Sequence, residues 1–133
     1  MSAAHDSMTA VERDPVILQV AQRYFGLGRL ERTEVFCGDI ERVLPCLESA
    51  GRRFDFIMED AAYADPVDRA LPIALRLAGL LGRRGALVLN RNARHHAAET
   101  AAALRLRCAR VTMRRARRDG DNVLISATNP RRA

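Results

Sequence analysis

The 133 residues are 48% hydrophobic and 29% charged, a balance that suits one packed domain and excludes a disordered or fibrous chain. No apolar run approaches the roughly 20 residues of a membrane span, and residues 1–8 lack the basic patch and apolar core of a secretory signal. All 22 basic residues are Arg, and against 16 acids they leave a net charge of +6. Such an excess suits an anionic partner such as nucleic acid, with Arg114-Arg115-Ala116-Arg117-Arg118 as the densest run. The few Phe and Tyr are not interleaved with the Arg runs as stacking platforms would be, so solvated surface Arg is the better account. Cys37, Cys46 and Cys108 are odd in number and widely spaced, which reads as reduced thiols of a cytoplasmic protein. The tandem His95-His96 has no metal-ligand spacing.

Residues 1–8 read as a flexible segment, 9–128 as the domain and 129–133 as a tail. The apolar 9–12 segment is a short strand ending in Glu12. Asp14-Pro15 follows as an N-cap and a first-turn proline, and Val16, Ile17, Val20, Ala21, Tyr24 and Phe25 recur at helical spacing. Gly26 and Gly28 stop that helix. Residues 33–37 form a second strand ending at Gly38-Asp39, and Ile40, Val43, Leu44 and Leu47 mark a helix that Pro45 should interrupt or restart.

Residues 54–58 form a third strand, followed by Glu59-Asp60. A loop over 61–71 precedes a helix over 72–81, closed by Gly82. The unbroken apolar run 86–89 predicts a strand buried on both faces. Ala-rich 97–106 is helical. Segments 109–116 and 122–127 flank Asp119-Gly120-Asp121 as a hairpin.

Alternating strands and helices closed by a hairpin predict a doubly wound α/β sheet, mostly parallel, with one reversed edge. Ligands of such sheets sit beyond the carboxyl ends of the strands, where Glu12, Asp39, Glu59 and Asp60 gather. Glu12 can accept both ribose hydroxyls or be a solvated strand end. Gly38 lets backbone approach a flat ring, and Asp39 can accept from an exocyclic amine or simply cap a helix. Asp60 can take a proton from an incoming nucleophile or be an ordinary loop acid.

Four stretches in this order carry a family resemblance: Ala10-Val-Glu-Arg-Asp-Pro15, Val20-Ala-Gln-Arg-Tyr-Phe-Gly26, Cys37-Gly-Asp39 and Phe54-Asp-Phe-Ile-Met-Glu-Asp60. With Asp121-Asn-Val-Leu-Ile-Ser-Ala127, they resemble the spermidine-synthase-like branch of the S-adenosylmethionine-dependent methyltransferase superfamily. Small-molecule O-methyltransferases match nearly as well. The resemblance implies a Rossmann-like class I methyltransferase sheet in the order 3-2-1-4-5-7-6. It also implies S-adenosylmethionine or its decarboxylated form as cofactor, with a methyl or aminopropyl group transferred to a small-molecule acceptor. It assigns Glu12 to the ribose, Gly38, Asp39 and Ile40 to the adenine, and Asp60 to the reacting centre.

The family's opening strand and Gly-x-Gly-x-Gly turn have no counterpart before residue 9, so the sheet is expected to be N-terminally truncated. Its second acceptor-side Asp is replaced by Tyr63, a phenol without the charge a polyamine requires. The gap predicts either direct pairing of 9–12 with 54–58, or a strand supplied by a second copy or a partner chain. A non-catalytic assembly module and an Arg-mediated nucleic-acid binder are the alternatives.

Overall fold

The computed structural model describes residues 6–118 and 120–132. The chain divides into two units, Met1–Cys46 and Leu47–Ala133. Residues 1–5 of the expected flexible segment, Asp119 of the hairpin turn and Ala133 of the tail lie outside the described residues.

In the first unit, β1 (Met8–Glu12) and β2 (Thr33–Cys37) pair in parallel, Met8 opposite Thr33 and Glu12 opposite Cys37. Met8 therefore belongs to the strand and not to the leading segment. Between them runs α1 (Pro15–Tyr24). Its start follows the sequence: the Asp14 carboxylate accepts from the N–H groups of Val16 and Ile17, at 2.8 and 3.4 Å, and Pro15 stands where no N–H is needed. Gly26, at φ +78°, takes the left-handed turn that side chains resist, and a short 3-10 turn (Leu27–Arg29) leads to β2. None of the α1 residues is buried. Val16, Ile17, Val20 and Tyr24 all stand exposed along it.

Helix α2 (Ile40–Ser49) carries the chain into the second unit, uninterrupted by Pro45. The second unit continues with β3 (Phe54–Glu59), α3 (Val67–Gly79), β4 (Leu81–Asn92), α4 (Ala97–Arg107), β5 (Cys108–Arg115) and β6 (Asn122–Pro130). Helix α3 starts five residues before the expected 72, and Pro72 lies inside it. Both internal prolines remove an N–H and orphan the carbonyl four residues back. Pro45 and Pro72 are exposed, as are Glu41 and Asp68, so water can serve those carbonyls and each helix runs on.

The four strands lie in the order β3-β4-β6-β5. β3 and β4 are parallel, while β6 is antiparallel to both β4 and β5. The reversed strand is thus interior, not at the edge, because the second arm of the hairpin inserts beside β4. It also extends to Pro130, into the expected tail. β4 begins five residues before the expected 86. Its register with β3 jumps from Phe54–Leu81 to Phe56–Ala86, and Gly82-Arg83-Arg84-Gly85 bulges out between. A Cβ on Gly85 would stand 2.8 Å from the Phe54 carbonyl oxygen, so only glycine fits the bulge's return.

Helices α3 and α4 cover one face of this sheet. Ile73, Ala74 and Leu77 of α3 and Ala101 and Leu104 of α4 are buried with Leu87, Leu89, Ile125 and Ala127. The expectation that 86–89 is buried on both faces does not hold. Ala86 and Val88 are half-buried, and their β3 neighbours Phe56 and Met58 are about 60% and 59% exposed. Among the described residues β1 pairs with β2 alone and β3 with β4 alone, so the direct pairing of 9–12 with 54–58 is not made.

Candidate functional site

Parallel pairing in register makes β1 and β2 end together, so both chains leave the sheet at one rim. There the Gly38 N–H donates to the Glu12 carbonyl at 2.9 Å. The Glu12 side chain turns back, and its Oε1 accepts from the Asp14 N–H at 2.9 Å. On the neighbouring strand end, Asp39 Oδ1 accepts from the Glu41 N–H at 3.0 Å, and its carbonyl accepts from Arg42 and Val43. Asp39 is therefore the N-cap of α2, with half-buried Ile40 as the first helical residue. The structure brings Glu12, Gly38, Asp39 and Ile40 together. Gly38 has no conformational need to be glycine. A Cβ there would meet nothing nearer than Val43 Cγ2 at 3.9 Å, so its missing side chain leaves open space beside Asp39.

The second unit holds Asp60 and Tyr63, in the turn after β3. The acids of Glu59-Asp60 part company, as successive residues leaving a strand must. Asp60 is exposed, whereas Glu59 is 5% exposed and its Oε2 lies 2.6 Å from Nη2 of Arg91, itself 1% exposed. Glu59 Oε1 accepts from the Ala62 N–H at 2.7 Å. Glu59 is thus an internal ion pair that ties the turn to β4, not a rim acid open to a ligand.

Asp60 Oδ1 accepts from Asn90 Nδ2 at 3.0 Å, and the Tyr63 hydroxyl donates to Asn122 Oδ1 at 3.2 Å. Asn122 Nδ2 donates to Asn90 Oδ1 at 3.2 Å, and Asn92 Nδ2 to the Tyr63 hydroxyl at 3.5 Å. Sequence reasoning missed all three amides. Their signal was an Asn at alternate positions leaving the apolar run of β4, with a third opening β6 directly opposite Asn92.

Elsewhere the chemistry is quiet. Cys37 and Cys46 are exposed, and burial pushes the Cys108 thiol above its ordinary range. Among the described residues no group of three or more His, Cys, Asp or Glu could hold a metal, and no helix is long and apolar enough to cross a membrane.

No family model matches the chain. It is 33% identical over 86 residues to a polyamine aminopropyltransferase of Vibrio vulnificus, covering 62% of this chain and 29% of that protein. Over 90 residues it is 37% identical to an eEF1A lysine and N-terminal methyltransferase of Danio rerio, covering 60% of this chain and 13% of that one. The structure of human methyltransferase-like protein 13 in complex with SAH matches with a TM-score of 0.72 at 22% identity, over 92% of this chain and 60% of that one. This is the class I methyltransferase fold. The chain spans less than a third of either curated relative. Its Glu12 and Gly38-Asp39 occupy the strand ends at which open α/β sheets hold their ligands.

Proposed function

We propose that this chain binds the adenosyl part of S-adenosylmethionine, or of its decarboxylated form, and takes part in transfer of a methyl or aminopropyl group to an amine. One observation carries the reading: Glu12 and Gly38-Asp39 end neighbouring parallel strands in register, with open space over Gly38. The Glu12 carboxylate would accept the ribose hydroxyls, and Asp39 with Ile40 would meet the adenine edge and face. Both acids have an oxygen tied to local backbone N–H groups, which fixes their direction before a ligand arrives. The residues present fit the nucleoside half of the cofactor.

Bound, the cofactor supplies a carbon made electrophilic by an adjacent sulfonium. In the second unit Asp60 would orient an acceptor amine and take its proton. Tyr63 stands on the acceptor side of Asp60. These 133 residues contain no Gly-x-Gly-x-Gly, and we assign the contacts to the cofactor's amino-acid half to a further strand outside them. The apolar stripe of α1 and the one-sided pairing of β1 and β3 support an added element.

Isothermal titration with S-adenosylmethionine, decarboxylated S-adenosylmethionine and methylthioadenosine tests the reading. Binding of at least one, weakened tenfold or more in Glu12→Gln, is expected. No heat with any of the three would overturn it.

A further inference from the structure

A backbone N–H can only donate and a carboxylate can only accept, so side chains linked between the two must all point one way. The rim of the four-stranded sheet contains such a chain. The Arg94 N–H donates to Asn92 Oδ1 at 2.9 Å, which leaves Asn92 Nδ2 to donate to the Tyr63 hydroxyl at 3.5 Å. The hydroxyl passes its own proton to Asn122 Oδ1 at 3.2 Å, and Asn122 Nδ2 donates to Asn90 Oδ1 at 3.2 Å. Asn90 Nδ2 completes the series on Asp60 Oδ1 at 3.0 Å. Turning any one amide over would set donor against donor or acceptor against acceptor.

We infer that Tyr63, Asn90, Asn92 and Asn122 are positioning residues, a one-way hydrogen-bond relay that holds Asp60 Oδ1 and presents Oδ2 to a singly charged primary amine. The role of Asp60 rests on the transferase reading above; the relay itself does not. Three parts of the sheet meet in it: Asn90 and Asn92 come from β4, Asn122 from β6, and Asp60 and Tyr63 from the turn after β3. The Asn92 N–H also donates to the Tyr63 carbonyl at 2.9 Å, so the turn is pinned at both backbone and phenol. Linked donors pointing the same way polarise one another toward the terminal acceptor.

The substrate class follows from the charges nearby. Glu59 is matched to Arg91, Asp65 to Arg69 and Asp121 to Arg94. Among the described residues Asp60 is instead met by a neutral amide, so its own charge stays uncompensated, enough for one ammonium and too little for a polycation.

NMR of the side-chain amides and carboxyls tests the relay without any ligand. Tyr63→Phe removes only the hydroxyl. It is expected to shift the NH2 signals of Asn122 and Asn90 and the carboxyl carbon of Asp60, while Tyr24→Phe on α1 moves none of them. Asn122→Asp keeps the shape and the acceptor but loses the donor, and it should shift the Asn90 and Asp60 signals as well. Unmoved Asn90 and Asp60 signals in both variants would overturn the relay, whatever the cofactor result. Relay shifts in a protein that binds no adenosyl ligand would leave the relay standing and remove the transferase reading alone. Where transfer is measured, Tyr63→Phe should lower kcat for n-propylamine at least tenfold with cofactor affinity unchanged. An unchanged kcat would overturn the positioning role.

Discussion

The two units solve the same problem to different degrees. In the second, α3 and α4 lay Ile73, Ala74, Leu77, Ala101 and Leu104 onto one face of a four-stranded sheet, and that face is sealed. In the first, α1 has as clear an amphipathic stripe and a better N-cap, yet none of its residues is buried. Local signals therefore suffice to form a helix here, while only a sheet with neighbouring helices supplies a core. Helical propensity and capping contribute tenths to about 1 kcal/mol, whereas a buried large aliphatic side chain contributes about 1.5–3 kcal/mol. The second unit should accordingly dominate stability.

The contrast can be broken in four places. Arg91→Ala leaves the Glu59 carboxylate buried without its cation and should cost about 3–5 kcal/mol in urea unfolding. Replacing both partners by apolar residues of similar volume should recover most of that loss. Gly85→Ala drives a methyl against the Phe54 carbonyl and should cost about 1–3 kcal/mol, read in the same melts. In the first unit Asp14→Ala removes two capping bonds and should cost only about 1 kcal/mol, seen as lost helical circular dichroism. Ile17→Glu, at a position 55% exposed, should change stability by no more than about 0.5 kcal/mol. A loss several times larger would mean that the α1 stripe is covered in solution, and it should then be accompanied by a change in sedimentation.

Much of this was legible wherever one residue decides a local event. Asp14-Pro15 announced the start of α1, and β2 runs over the predicted 33–37 because Gly38-Asp39 ends it. The misses arise where a local rule depends on exposure. Pro45 reads as an interruption and Pro72 as a helix start because the sequence does not show that their orphaned carbonyls face water. The early part of β4 was hidden by a bulge whose return is dictated by the Phe54 carbonyl, a neighbour far away in sequence. The candidate site divides likewise. The acids were visible because charge at a strand end is conspicuous, but Glu59 turned inward to Arg91, a partner that only strand pairing reveals. Asn90, Asn92 and Asn122 carry no charge and become meaningful only once β4 and β6 lie side by side.

The place of β6 between β4 and β5 has a bearing on how the chain is made. Among the described strands it comes last in the chain, yet it lies inside its sheet, so β5 reaches β4 only through it. Before β6 is made, Ile125 and Ala127 cannot close the hydrophobic layer, and Asn122 cannot join Tyr63 to Asn90. Closure of this hydrophobic layer and assembly of the Asp60 rim thus become a single event, set by the arrival of β6.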